Sequence, residues 1–188
     1  MKKDAAKSDT FGLMSNGAPI ETPRLQLLLF SPEVLDMVRE QNYDAAARIQ
    51  GFTFSEEFLS SVNDVFLARQ IDGMRKWPST PGWYARAILR KEDGVVIGHC
   101  GFHGHPEDYG RAEIGYTILA PYRRQGYAAE SVRGLVSWAK VQGSRVAIAT
   151  VSSSNAPSIG VVTKLGFRRT KVLGRDVDNE EYVFELDL

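Results

Sequence analysis

The chain of 188 residues holds one cysteine, Cys100. A lone thiol makes no internal disulfide, so nothing in the fold depends on an oxidising compartment. Long apolar runs are also missing. The longest are short, as in Leu25-Gln26-Leu27-Leu28-Leu29-Phe30, well below the roughly 20 residues that cross a bilayer. Lysines open the N-terminus but no apolar segment follows them, so the expectation is no signal peptide, no membrane partner and a cytoplasmic location. Nor does one sign of charge dominate. The 23 Lys and Arg balance 23 Asp and Glu, which leaves no whole-molecule field to draw in nucleic acid. Internal repeats and low-complexity blocks are absent as well. The remainder is ordinary globular material, 43% hydrophobic and 10% aromatic, and this excludes a disordered or collagen-like chain. The length suits a single core.

Residues 1–19 mix Lys, Asp, Ser, Asn and Gly without period and read as a loose tail, leaving 20–188 as one domain. Leu25, Leu27 and Leu29 alternate onto one face of a first strand. Ser31-Pro32-Glu33 then starts a helix with a cap, a first-turn proline and an acid at the positive helix end. The pattern stays helical from Asn42 to Trp77. Ser55-Glu56-Glu57 marks a start there, with Phe58, Val62, Val65, Phe66 and Arg69 expected on one face. Pro78 and Pro81-Gly82 end that region.

Three strands are expected next. Trp83 to Arg90 and Val95 to His103 form a hairpin across Glu92-Asp93-Gly94, and Ala112 to Leu119 follows a loop. After Gly126 comes the clearest helix, with a stripe of Ala128, Val132, Leu135, Val136 and Ala139 and a stop at Gly143. Arg145 to Val151 reads as a buried strand. Asn155 caps a short helix that Gly166 ends, and Tyr182, Phe184, Leu186 and Leu188 alternate along a last strand. This order, β, two or three helices, β-β-β, helix, β, helix, β-β, predicts an α/β (α+β) fold: a mixed sheet with helices on its faces.

The stretch Ile118-Leu119-Ala120-Pro121-Tyr122-Arg123-Arg124-Gln125-Gly126-Tyr127-Ala128 carries the chemistry. A strand that turns through a glycine into a helix leaves several backbone N–H groups unpaired at the positive helix end, a site suited to phosphate. Gly126 allows close backbone approach, Ala128 stays out of the way, and Arg123 and Arg124 add positive charge. The turn lacks Gly-Lys-Ser/Thr and has one glycine rather than three, so neither a Walker loop nor a dinucleotide fingerprint is present.

Arg123-Arg124-Gln125-Gly126-Tyr127-Ala128 fits Arg/Gln-x-x-Gly-x-Gly/Ala, and it resembles the acyl-CoA pyrophosphate loop of the GNAT superfamily of N-acetyltransferases. The context is similar to that family too: Glu21-Thr22-Pro23-Arg24-Leu25 at the opening strand, Glu113-Ile114-Gly115-Tyr116 before the loop, then Asn155-Ala156-Pro157-Ser158 and Lys164-Leu165-Gly166-Phe167. The nearest branch looks like the ribosomal-protein N-terminal acetyltransferases and their small-molecule-acting relatives.

The resemblance implies a mostly antiparallel sheet splayed where acetyl-CoA binds. It implies pantetheine against Ile118 and Leu119, with a backbone N–H near Leu119 polarising the thioester carbonyl. The pyrophosphate then sits on the N–H groups of Arg124 to Ala128, and Asn155 faces the pantetheine amides. Family members often use a tyrosine as the acid that protonates the departing thiolate. Val162 stands at the matching position here, which leaves Ser158 as the candidate acid. Glu113 is the candidate general base, with a pKa expected to be raised by partial burial. Its structural alternative is a strand glutamate paired with a neighbour such as Arg111.

Histidine and cysteine supply the remaining reactive side chains. His99, Cys100, His103 and His105 match no metal-ligand spacing, so no metal is expected, and His103 is the better placed of the first two histidines to take a proton. Cys100 reads as a buried thiol rather than a nucleophile. Gly160, inside the last helix, suggests close approach to the cofactor or to the sheet. Phe52, Phe54, Phe58, Trp77, Trp83 and Tyr84 read as core, with one or two lining an acceptor pocket.

The expected function is transfer of the acetyl group of acetyl-CoA to a primary amine by direct attack in a ternary complex. The acceptor is a small-molecule amine or a protein N-terminus. A catalytically silent acyl-CoA-binding sensor or scaffold is the open alternative. Pairing into a homodimer is expected through a sheet edge, for which Glu181–Leu188 is the candidate.

Overall fold

The computed structural model describes residues 17–106, 110–174 and 180–188. The N-terminal tail expected over 1–19 therefore lies almost wholly outside the described residues. Eight strands form one sheet in the order β1-β2-β3-β4-β5-β6-β8-β7. They are β1 (Ile20–Glu21), β2 (Leu25–Leu29), β3 (Arg86–Arg90), β4 (Val95–Phe102), β5 (Arg111–Ile118), β6 (Val146–Ser152), β7 (Arg168–Leu173) and β8 (Glu181–Asp187). Every pairing is antiparallel except β5 with β6. No helix among the described residues is long and apolar enough to cross a membrane.

Four helices, not two or three, fill the segment between β2 and β3: α1 (Pro32–Arg39), α2 (Tyr43–Gln50), α3 (Glu56–Ser61) and α4 (Asp64–Lys76). Ser31, Ser55 and Asn63 cap α1, α3 and α4, each accepting a first-turn N–H. The cap at Asn63 explains one departure from expectation. Val62 is extended and ends α3, so the stripe from Phe58 to Arg69 breaks there. Val65 consequently points outward, 77% exposed.

Alternation sorts β4 between two helical layers. His99 packs against Phe58 of α3 and Phe66 of α4. Phe102, of opposite parity, packs on Trp138 of α5 (Tyr127–Val141). Val132, Leu135 and Ala139 of α5 are fully buried, and removal of such apolar area from water supplies most of the attraction that seats the helix. The opening of the hairpin differs from expectation: Trp83 lies in a 3-10 turn and Tyr84 just beyond it, both buried.

Two further expectations are corrected. Val146 to Val151 alternates between half-buried and buried residues instead of being covered throughout. Glu181–Leu188 is not a sheet edge, because β8 pairs with β6 on one side and β7 on the other. The edge is β7, whose residues Arg168 to Val172 are exposed.

Candidate active site

The sheet parts between its two parallel strands. β5 and β6 pair only at Arg111↔Val146, Ala112↔Ala147 and Glu113↔Ile148. Beyond that, β5 stays with β4 as far as Gly98↔Ile118, while β6 stays with β8 as far as Ser152↔Glu181. The gap opens toward the C-terminal ends of both strands. On β5, Glu113 C=O accepts from the backbone N–H of His103 at 2.9 Å and Leu119 N–H donates to Ile97 C=O at 2.8 Å, so odd residues bond β4. The alternation of an antiparallel ladder then turns the N–H groups of Tyr116 and Ile118 to the gap. The donor nearest Leu119 is therefore that of Ile118, since Leu119's own N–H is consumed by Ile97.

At the mouth of the gap the chain turns through Arg123 to Ala128 into α5. Arg124 and Gly126 both take left-handed backbone conformations, φ 61° and 83°. For arginine that conformation is costly, and such strain collects at functional turns. The helix's first bonded amide is Glu130 N–H, to Gly126 C=O at 3.1 Å. The N–H groups from Arg124 to Ala129 thus precede the helical ladder, an anion-binding concavity at a positive helix end. Arg123 Nε donates to Ile118 C=O at 2.9 Å, which ties the turn to the end of β5.

Across the gap, α6 (Ala156–Lys164) starts after β6. Asn155 Oδ1 accepts Ser158 N–H at 3.2 Å, the expected cap. Tyr116 Oη, half-buried on β5, donates to Ser158 C=O at 3.3 Å and so fixes the start of α6 to the opposite wall. Burial pushes its phenol pKa up despite that bond. The role of Tyr116 went unread in the sequence, where it is one aromatic in a strand; only the parting of the sheet makes it face α6. Val162 is fully buried, turned into the core. A side chain built on Gly160 meets nothing within 4 Å, so contact with the sheet is not the reason for that glycine.

Glu113 stands at the vertex of the gap. Its expected upward pKa shift is reversed. A hydrogen bond from His103, whose Nδ1 lies 3.3 Å from Oε1, holds the carboxyl below its ordinary value against the opposing effect of burial. Thr150 and Arg69 add to that lowering. Arg111, the neighbour named from sequence, pairs with Glu185 at 2.6 Å instead. A Cβ added to Gly115 would lie 2.9 Å from His103 Nε2, so this glycine makes room for the ring.

A cavity of about 190 Å³ adjoins this pair, lined by Phe66, Gln70, His99, His103, Gly115 and Tyr116 among others. None of the six aromatics expected from sequence lines it. Phe52, Phe54 and Phe58 cluster with Phe30 instead, and Trp77 is 42% exposed. A larger hollow of about 610 Å³ lies behind α5, beside Pro23, Gly134 and Val141, away from the Glu113–His103 pair.

The histidines do not converge. His99 is buried between α3, α4 and β4, with burial holding its pKa down to about 4. His105 packs on Trp83. Among the described residues no three His, Cys, Asp or Glu side chains are grouped to hold a metal. Cys100 is enclosed, and burial pushes its thiol up to about 12, an unreactive state.

A sheet parted between parallel strands, with a nest of amide hydrogens at the mouth of the parting, is the architecture of an acyltransferase that takes its donor as a coenzyme A thioester. The chain belongs to the acetyltransferase (GNAT) family, whose domain model matches residues 24–168. It is 30% identical over 156 residues to the uncharacterized N-acetyltransferase YjdG of Bacillus subtilis, a match covering 79% of this chain and 88% of that protein. Over 137 residues it is 32% identical to the uncharacterized N-acetyltransferase p20 of Bacillus licheniformis, covering 68% and 76%. Its fold is similar to the ribosomal-protein-S5-alanine acetyltransferase of Vibrio fischeri, with TM-score 0.63, 15% identity and coverage of 90% and 96%. It is also similar to the microcin C7 self-immunity acetyltransferase MccE, solved with acetyl-CoA and AMP, with TM-score 0.61, 15% identity and coverage of 88% and 93%. Membership assigns the reaction class, acetyl transfer from acetyl-CoA to an amine nitrogen.

Proposed function

We propose that acetyl-CoA enters the gap between β5 and β6 and that a primary amine meets it there, attacking the thioester directly in a ternary complex. The observation that carries this reading is the loss of β5–β6 pairing beyond Glu113↔Ile148, with the amide nest of Arg124 to Ala128 at the open end. The diphosphate rests on those amides and on the charges of Arg123 and Arg124. Pantetheine runs along Ile118 and Leu119, adding to the sheet as an extra strand does, with Asn155 on its other side and Gly160 keeping the space clear. Ile118 N–H polarises the thioester carbonyl.

The acceptor is a small primary amine or the first residue of a protein N-terminus, and it comes through the cavity beside Phe66, His99 and His103. Glu113 accepts from His103 Nδ1–H and so leaves the Nε2 lone pair free to take the amine's proton, directly or through water. The C–N bond forms, the C–S bond breaks, and Ser158 relays a proton from water to the departing thiolate, while the proton taken by His103 returns to solvent. The low pKa of Glu113 suits this division of labour, since a carboxylate held ionised orients the imidazole better than it abstracts a proton.

Isothermal titration with acetyl-CoA, followed by thiol release over a panel of amines and N-terminal peptides, tests the reading. Micromolar binding with amine-dependent thiol release is expected. Absence of binding removes the assignment. Binding without release over the whole panel favours the silent sensor or scaffold.

A further inference from the structure

Arg24 lies outside the turn, just before β2, yet it is bonded to that turn at several points. Its backbone N–H and its Nε each donate to the Glu130 carboxylate at 2.7 Å. Its Nη1 donates to Gln125 C=O at 3.1 Å, and its guanidinium lies over the Tyr127 ring, 4.4 Å from the centroid. Thr22 Oγ1 completes the set with a 2.7 Å bond to Glu130 Oε1. Glu130 is 9% exposed, in the first turn of α5. Burial raises its pKa, but the bonds from Thr22 and Arg24 outweigh that and hold it ionised.

We infer that Arg24 is the positioning residue of the diphosphate site, aiming the turn's amides and cancelling the charge of Glu130 beneath them. Two physical arguments support this, and both rest on the proposed acetyl-CoA reading. First, a trans peptide points its C=O and the next N–H in opposite directions. Arg24 holds the Gln125 carbonyl on its own side, so Gly126 N–H is presented on the far side, away from the guanidinium. Without Arg24 the peptide is free to rotate, and a carbonyl turned outward repels phosphate. Second, an unpaired carboxylate in the first turn of α5 competes with a bound diphosphate for the same positive helix end. The guanidinium neutralises it through Nε to Oε2 while Nη1 holds the Gln125 carbonyl, a two-point geometry lysine cannot reproduce.

The test measures dissociation constants by isothermal titration with coenzyme A and by NMR titration with pantetheine, which lacks the diphosphate. Arg24→Met is expected to weaken coenzyme A by about tenfold or more, with pantetheine changed less than about twofold. Arg24→Lys retains the charge but not both bonds, and falls between. Adding Glu130→Gln to Arg24→Met removes the freed charge and recovers part of the lost affinity, a non-additivity that a merely structural loss does not produce. Wild-type affinity for coenzyme A in Arg24→Met overturns the inference, as does equal weakening of both ligands. A double variant no tighter than Arg24→Met overturns the charge-cancelling half. Failure of the wild-type protein to bind coenzyme A overturns the acetyltransferase reading itself, which separates the two failures.

Discussion

His103 Nδ1 lies 3.3 Å from Glu113 Oε1 across the β4–β5 pair, and the far nitrogen of the same ring rests over Gly115. One carboxylate thereby sets both the orientation of the ring and the nitrogen that keeps its lone pair. In the proposed mechanism the two groups act as a unit.

A unit of this kind gives non-additive losses. Glu113→Gln and His103→Gln are each expected to lower kcat about 10- to 100-fold, and the double variant should lose little more. Coenzyme A affinity stays at the wild-type value, because neither side chain touches the amide nest. Since the Glu113 carboxyl is held below its ordinary value, it is ionised throughout the neutral range, and the Glu113→Gln loss extends across that range rather than appearing chiefly in acid. Thiol release at saturating acetyl-CoA, followed against pH, checks this. Fully multiplicative losses in the double variant mean that the residues act separately.

The sequence made some of this legible and hid the rest for physical reasons. The turn from Arg123 to Ala128, the cap at Asn155 and the strand bearing Glu113 are local features, read from spacing alone. The partner of Glu113 is not local. Arg111 is two residues away on the same strand, whereas His103 is reached only through the register of β4 on β5, and that register is set by the whole hairpin. The edge of the sheet was misread for the same reason. Nothing within Glu181–Leu188 reports that Arg168–Leu173 folds back outside it. Helix α4 was absorbed into α3 because apolar spacing runs on through Val62, and the break depends on one asparagine cap.

Buried His99 predicts a pH dependence of stability distinct from that of the acids. Its pKa falls from 6.5 to about 4 on folding. Between those values the unfolded chain binds a proton that the native state rejects, so stability declines as pH falls from about 6.5 toward 4. The slope is at most about 1.4 kcal/mol per pH unit, and the total loss up to about 3 kcal/mol. The lowered carboxylates contribute only below about 4.5, so the window above belongs to His99. Urea unfolding at stepped pH should show the decline, and His99→Gln should flatten it. A wild-type curve already flat from pH 6.5 to 5 contradicts the burial argument.

Arg86 tests a buried charge. It is fully buried, with Nη1 donating to Ala18 and Leu27 carbonyls at 3.0 and 3.3 Å and Nη2 to Gly82 at 3.3 Å. Burial lowers its pKa to about 10, so it stays charged at neutral pH. Arg86→Met keeps the volume but strands three carbonyls, and is expected to cost about 2–4 kcal/mol. The urea midpoint should drop with an unchanged slope, and Arg86→Lys should recover part of the loss. A neutral Arg86→Met change means that the carbonyls find other partners.

The space over Gly115 gives the sharpest separation of catalysis from folding. An alanine methyl there would lie 2.9 Å from His103 Nε2, too close to stay. The atom in its way is the end of a side chain, so the ring swings out and the backbone holds. Gly115→Ala is therefore expected to cost about 1 kcal/mol or less in stability, within the range of ordinary substitutions. The displaced ring loosens its bond to Glu113, whose pKa then rises toward the ordinary carboxylate value. Turnover should drop about as far as in His103→Gln while coenzyme A binds as before. Wild-type turnover in Gly115→Ala would show that the position of the His103 ring does not matter to the reaction.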